Sequence, residues 1–323
     1  MSEATTAPTP EAALAWEAQR RMAAGLAALA AALLTIFGSV LNSLTLGKLP
    51  SYDDKIVTVT DALRLTVAGQ PVPGGRLAAQ AIWIGQHATA PIIAAILFGL
   101  GSMLVFPPIA YLFRATRARR PALQQYPLVL AATGAVAYGV GHIASSLARF
   151  IGATHFVHAA DQTNSAATDA LGGSTYLVGA IILQAGALAL GFGFVLICLN
   201  AMRVGLLTRF MGILGCIVGV TFVLPLDQQG IIRVFWLVAL GALILGRWPT
   251  AVPKAWSTGK AEPWPTQQQV REEREAARRQ GRPATTPAAP APQAPKPPST
   301  PRPEPATAQA HPASKKRKRK RRT

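Results

Sequence analysis

TYLVGAIILQAGALALGFGFVLICL, residues 175–199, runs for 25 residues without an Asp, Glu, Lys, Arg or His. A helix rises about 1.5 Å per residue, so roughly 20 apolar residues cross the roughly 30 Å of hydrocarbon in a bilayer. This stretch is long enough to cross and too apolar all round to lie on a soluble protein. Working outward, five more runs share its character: 22–46, 88–113, 128–151, 210–226 and 230–245. The last two are shorter and are separated only by Asp227, Gln228 and Gln229, which reads as a tight hairpin. The expected fold is all-α, a polytopic transmembrane helical bundle of about six spans over 22–248. It lies between an N-terminal segment, 1–21, and a tail, 249–323.

Composition agrees: 50% of the 323 residues are hydrophobic and 14% are charged, too apolar a balance for an average soluble domain. The net charge of +18 is mostly a property of the tail, where residues 249–323 carry 17 Lys and Arg against 5 Asp and Glu. Cys198 and Cys216 both fall inside apolar runs, with neither disulfide nor metal spacing. The run 22–46 is too long for a signal-peptide core, and Glu11 and Glu17 precede it, so it reads as a retained anchor.

Orientation follows from the Lys and Arg of short loops, which collect on the cytoplasmic side. With six spans, Arg20, Arg21, Arg114, Arg117, Arg119, Arg120, Arg203, Arg209, Arg247 and Lys254 share one side. The opposite loops at 153–174 and 227–229 contain no Lys or Arg, although the first of that side is mixed, with Lys48, Lys55, Arg64 and Arg76. Both termini are therefore expected in the cytoplasm, with the chain in a cell inner (plasma) membrane. Within the mixed loop, SYDDKIVTVTDALRLTV (51–67) predicts an amphipathic helix at the interface, with Ile56, Val59, Ala62 and Leu63 on one side, ended by GQPVPGG.

Helices in lipid associate through small residues and a few hydrogen bonds. Gly215 with Gly219, Gly141 with Ser145, Ser39 with Ser43 and Ala187 with Gly191 each place two small side chains on one helix face. Polar groups at membrane depth are costly and mark candidate sites; here they are His142, Gln184 and Arg233. Arg233 and Arg149 are near enough to a helix end to snorkel, and Asp227 is a plausible partner for Arg233. His142 is either a hydrogen-bonded interior residue or a group that handles a proton or ligand.

HFVHAAD places His155, His158 and Asp161 at i, i+3 and i+6, one face of a continued helix. Such a set suits part of a transition-metal site on the outer face; the alternative is three solvated loop residues. There is no P-loop, GxSxG, HExxH or dinucleotide fingerprint, and no Asp or Glu within any expected span. No catalytic residue and no cofactor is expected, and the balance leans away from an enzyme.

In the tail, Thr266 with Gln269 fits a capping box, and Arg271/Glu275 and Glu275/Arg279 are i, i+4 pairs, so a short helix is expected over 267–280. Residues 281–314 are mainly Pro, Ala and Thr and predict a disordered linker. The chain then reads Lys315, Lys316, Arg317, Lys318, Arg319, Lys320, Arg321, Arg322. Eight adjacent cations attract polyanions: anionic lipid headgroups of the bilayer, ribosomal RNA or other nucleic acid, or an unidentified protein partner.

GFGFVLICLNAMRVGLLTRFMGILGCIVGV, residues 191–220, joins two glycine-bearing helices through a GLLxR loop. It resembles a broad group of uncharacterised bacterial multi-pass membrane proteins. The resemblance implies a small helical bundle and transfers no catalytic residue; the group's usual proline before the arginine is Thr208 here. Three functions stay open: a non-enzymatic membrane protein whose basic tail binds anionic lipid or a cytoplasmic partner, a small-solute transporter or channel, and a membrane metal protein or enzyme.

Overall fold

A computed structural model describes residues 9–50, 58–70, 74–224, 226–249 and 252–265, and five helical residues between 269 and 276. The basic octamer, the linker and most of the expected 267–280 helix lie outside the described residues. Every regular element among those described is a helix. Four helical segments are long and apolar enough to cross a membrane: α1 (Pro10–Leu46), Thr89–Arg119, α6 (Tyr126–Val157) and α8 (Ser174–Arg203). The second of these is broken into α4 (Thr89–Met103) and α5 (Phe106–Arg119). Pro107 and Pro108 have no N–H to offer the carbonyls of Met103 and Leu104, so the helical hydrogen-bond ladder is interrupted at Leu104 and Val105, both of which keep right-handed helical backbone.

Of the six expected spans, the last two are short helices, α9 (Arg209–Val223) and α10 (Ile231–Ile244), of 15 and 14 residues. At about 1.5 Å per residue they fall short of a roughly 30 Å hydrocarbon layer. The turn between them is set by Asp227, whose carboxylate accepts from the backbone N–H of Ile231 (2.8 Å) and of Arg233 (3.2 Å). Gly230 takes φ +71°, where a Cβ would be strained. At the start of α9, Thr208 is the N-cap and accepts from Met211 N–H (3.2 Å), a role that proline could not fill.

The size pattern of α1 is inverted relative to a soluble helix. Ala24, Gly25, Ala28, Ala31, Ala32, Thr35, Gly38 and Ser39 face inward, whereas Met22, Leu26, Leu33, Phe37, Val40 and Leu44 are exposed. A contiguous apolar exterior of this kind is stable against lipid tails, and small inward residues let neighbouring backbones approach. The longest run of close backbone contacts is between α6 and α8. A Cβ added at Gly134 would lie 2.2 Å from Leu190 N, at Gly141 2.3 Å from Leu183 N, and at Gly186 2.2 Å from Tyr138 N. Gly179 meets Ser145 and Gly193 meets Ala131 in the same way. The expected pair of Gly141 and Ser145 thus belongs to this seam, while Gly191 and Gly219 meet across α8 and α9. Ser39 and Ser43 form no such seam: Ser43 donates to Gln229 (2.9 Å).

Two helices of the loops were not expected, α3 (Arg76–Gln86) and α7 (Asn164–Gly172), which pack on the later half of α6 through Ala78, Ala81, Phe156 and Ala167. The expected amphipathic helix is α2 (Val59–Val67); Val59, Leu63 and Val67 are all exposed, and Ile56 lies outside the described residues.

At the arginine-rich end, α1 continues twelve residues further than the span expected from 22. Glu17 there is 4% exposed and pairs with Arg119 in two contacts, Nη1 to Oε1 and Nη2 to Oε2 (3.2 Å). Arg119 also donates to the carbonyls of Ala115 (2.9 Å) and Ala255 (2.6 and 3.2 Å), so all five of its N–H groups are used. Residues 252–265, which include α11 (Ala255–Thr258), close over this end. Trp256 and Trp264 tie the segment down: their indole N–H groups donate to Leu206 O and Leu207 O, both at 2.8 Å.

Candidate functional site

Opposite the arginine-rich end, the described residues form a partly open cavity of about 630 Å³. Its walls come from the last third of α1, from α3, from the first turns of α4, from the later half of α6, and from α7 and the start of α8, with Gln228 and Gln229 at the hairpin turn. The volume is in the range of small-molecule sites. Its polar side chains have a simple origin on α6: His142, Ser145, Ser146 and Arg149 stand at i, i+3, i+4 and i+7, one stripe on one helix face. Ser39 and Asn42, spaced i, i+3 on α1, contribute a second short stripe.

Among the described residues no Asp or Glu lines this cavity, and Arg149 is the one Lys or Arg of its lining. Arg149 donates to the Tyr176 hydroxyl (3.1 Å) with its guanidinium 4.9 Å from that ring. Ser39 is 6% exposed and its Oγ has no partner among the described residues. His142 is half-buried, with its ring 4.7 Å from that of Phe98.

Phe98 also touches the group next to the cavity. Arg233 is 1% exposed, and its guanidinium carbon lies 4.0 Å from the Phe222 ring centre and 5.6 Å from those of Phe98 and Tyr138. Its Nε and Nη1 have no hydrogen-bond partner among the described residues. Arg233 therefore does not snorkel. Asp227 does not neutralise it either, because that carboxylate is spent on backbone N–H groups, one of them Arg233's own. Packing places the side chain inside because the neighbouring face of α10 carries Trp236, Leu237 and Leu240, all buried against α1 and α9.

Of the three polar residues expected inside the spans, His142 and Arg233 converge on Phe98, and Gln184 does not join them. Gln184 is exposed on the outside of α8, because Gly186 and Ala187 occupy the inward face. The residues at 155–161 are also apart from the cavity lining. The helix α6 stops at Val157, so His155 sits in its last turn, His158 caps it and Asp161 lies in the loop beyond; all three are exposed. The Asp161 carboxylate accepts from Thr163 N–H (3.0 Å). Among the described residues, no three His, Cys, Asp or Glu side chains gather as a metal site would require. No family model, curated protein or solved structure matches the chain, so no residue role comes from a relative.

Proposed function

We propose that this chain is a membrane-embedded binding protein for a small solute, which enters the cavity from the side opposite the arginine-rich end. With that end in the cytoplasm, as the positive-inside bias suggests, the solute comes from outside the cell. The observation that carries the reading is the cavity itself: about 630 Å³, apolar on Leu77, Ile84 and Phe150 and polar along the α6 stripe, the composition typical of a ligand site. Introducing Ser146→Cys tests it. A membrane-impermeant maleimide added to intact cells should label this cysteine above the wild-type background, since Cys198 is fully buried and Cys216 partly so. Labelling only after the cytoplasmic side is opened would reverse the orientation, and no labelling from either side would close the cavity.

Transport is a second reading, favoured by the break at Leu104 and Val105. Discontinuous helices near the midplane are where transporters hold and release solutes. Beneath the cavity the described residues leave no open path, because Val105, Ile109, Leu112, Leu190 and Phe194 are fully buried in one apolar cluster. Passage would need the two halves of the broken helix to move separately.

The tail has its own proposed role, independent of the cavity: residues 315–322 hold anionic headgroups at the cytoplasmic surface, each Lys or Arg contributing about 1 kcal/mol there. Deleting the octamer should abolish salt-sensitive binding of a 266–323 peptide to phosphatidylserine vesicles. Unchanged binding would remove the lipid role, and tighter binding to RNA than to vesicles would transfer it to nucleic acid.

A further inference from the structure

The chemical class of the solute, which rests on the cavity reading, follows from how the fold treats its two buried arginines. Arg119 has a carboxylate and three carbonyl contacts and leaves no N–H unused. Arg233 is equally buried, yet Nε and Nη1 are without acceptors among the described residues. A desolvated cation with orphaned donors is costly. The rings of Phe98, Tyr138 and Phe222 attract its charge, but ring faces leave those two nitrogens without an acceptor. A second orphan, Ser39 Oγ, is itself on the cavity wall. Among the described residues no carboxylate lines the cavity, and Phe98 belongs both to its wall and to the surroundings of Arg233.

We propose that the cavity takes a small organic anion, a carboxylate on an apolar body, whose charged end is held by Arg233 and Ser39 after the Phe98 ring turns aside. The apolar body lies against Ile84 and Phe150, and Arg149 adds positive potential to the same wall. An incoming carboxylate brings acceptors for the two orphaned nitrogens and the Ser39 hydroxyl and supplies the missing counter-charge, so binding is coupled to relief of an unfavourable burial.

The test uses the purified full chain in lipid nanodiscs with three probes: benzoate, its neutral near-isostere benzamide, and palmitate carried in the disc lipid. Benzoate or palmitate should raise Tm in a concentration-dependent way and benzamide should not. The Arg233→Met variant should lose that response, an affinity loss of about tenfold or more. The same variant without ligand should melt higher than wild type, because an unpaired buried charge has been replaced by an apolar side chain of similar length. A response to benzoate identifies a water-borne acid, and one to palmitate alone a bilayer-borne acid; either supports the proposal if Arg233→Met removes it. Equal responses to benzoate and benzamide, or an Arg233→Met variant that melts lower than wild type, would overturn it in favour of a structural aromatic box. If no probe acts while Ser146→Cys is still labelled from outside, the anion class fails and the open cavity stands; if neither occurs, both fall.

Discussion

Gly186→Leu should leave almost no monodisperse protein, while Ala185→Leu, one residue away, should be recovered at wild-type yield. A Cβ at position 186 would lie 2.2 Å from the backbone nitrogen of Tyr138 and 2.7 Å from the carbonyl carbon of Ala137, so the obstruction is backbone and has no rotamer by which to yield. Accommodating an isobutyl group means separating α6 from α8 along the whole seam. Overpacking of even a few methylenes typically costs 1–3 kcal/mol where side chains can adjust; against backbone the cost should exceed roughly 3 kcal/mol. Ala185 is exposed on the outer side of α8, where a leucine meets lipid. Size-exclusion profiles and Tm in detergent compare the two variants directly, and a well-behaved Gly186→Leu protein would show that the helices are not in backbone contact.

The second large effect is expected at the arginine-rich end. Glu17→Ala strips the counter-charge from a guanidinium whose side chain is 0% exposed, and breaking one half of a buried pair typically costs about 3–5 kcal/mol. The double variant Glu17→Ala with Arg119→Met should be less destabilised than either single variant, since it leaves no charge behind. Thermal melts of the four proteins complete the cycle. If the double variant is instead as unstable as the sum of the singles, the pair is not coupled and the three carbonyl contacts of Arg119 carry the effect.

These two features were unequally legible in the sequence. The bundle could be read from apolar runs, because length and the absence of charge are what a bilayer selects. The break in the second span was also readable, since the adjacent prolines at 107 and 108 remove two helical hydrogen bonds; an apolar count over 88–113 passes straight across them. Arg119 could not be singled out from Arg117 and Arg120, because a topogenic arginine and a buried one look alike in a basic run. Its partner Glu17 lies in a polar segment that gives no sign of being packed. Part of the cavity was visible as spacing: His142, Ser145, Ser146 and Arg149 mark one face of α6. The other walls were not, because α3 and α7 lie in loops where local sequence says little about docking. Gln184 misled for a related reason: membrane depth is read along the chain, whereas inward or outward facing depends on which small residues, here Gly186 and Ala187, take the packed face.

The glycine seam has a mechanical consequence for the cavity. Glycine and alanine have no rotamers to freeze, so bringing α6 and α8 together costs little side-chain entropy, and backbone against backbone leaves no soft layer through which they could slide. The α6 stripe and the start of α8 thus form a stiff wall. Any change in cavity volume falls to the opposite side, where α3 and α7 are short helices between loops and α4 ends at a break. Amide exchange should be slow along 134–145 and 179–193 and faster across 76–86 and 164–172, with a bound solute slowing only the second pair.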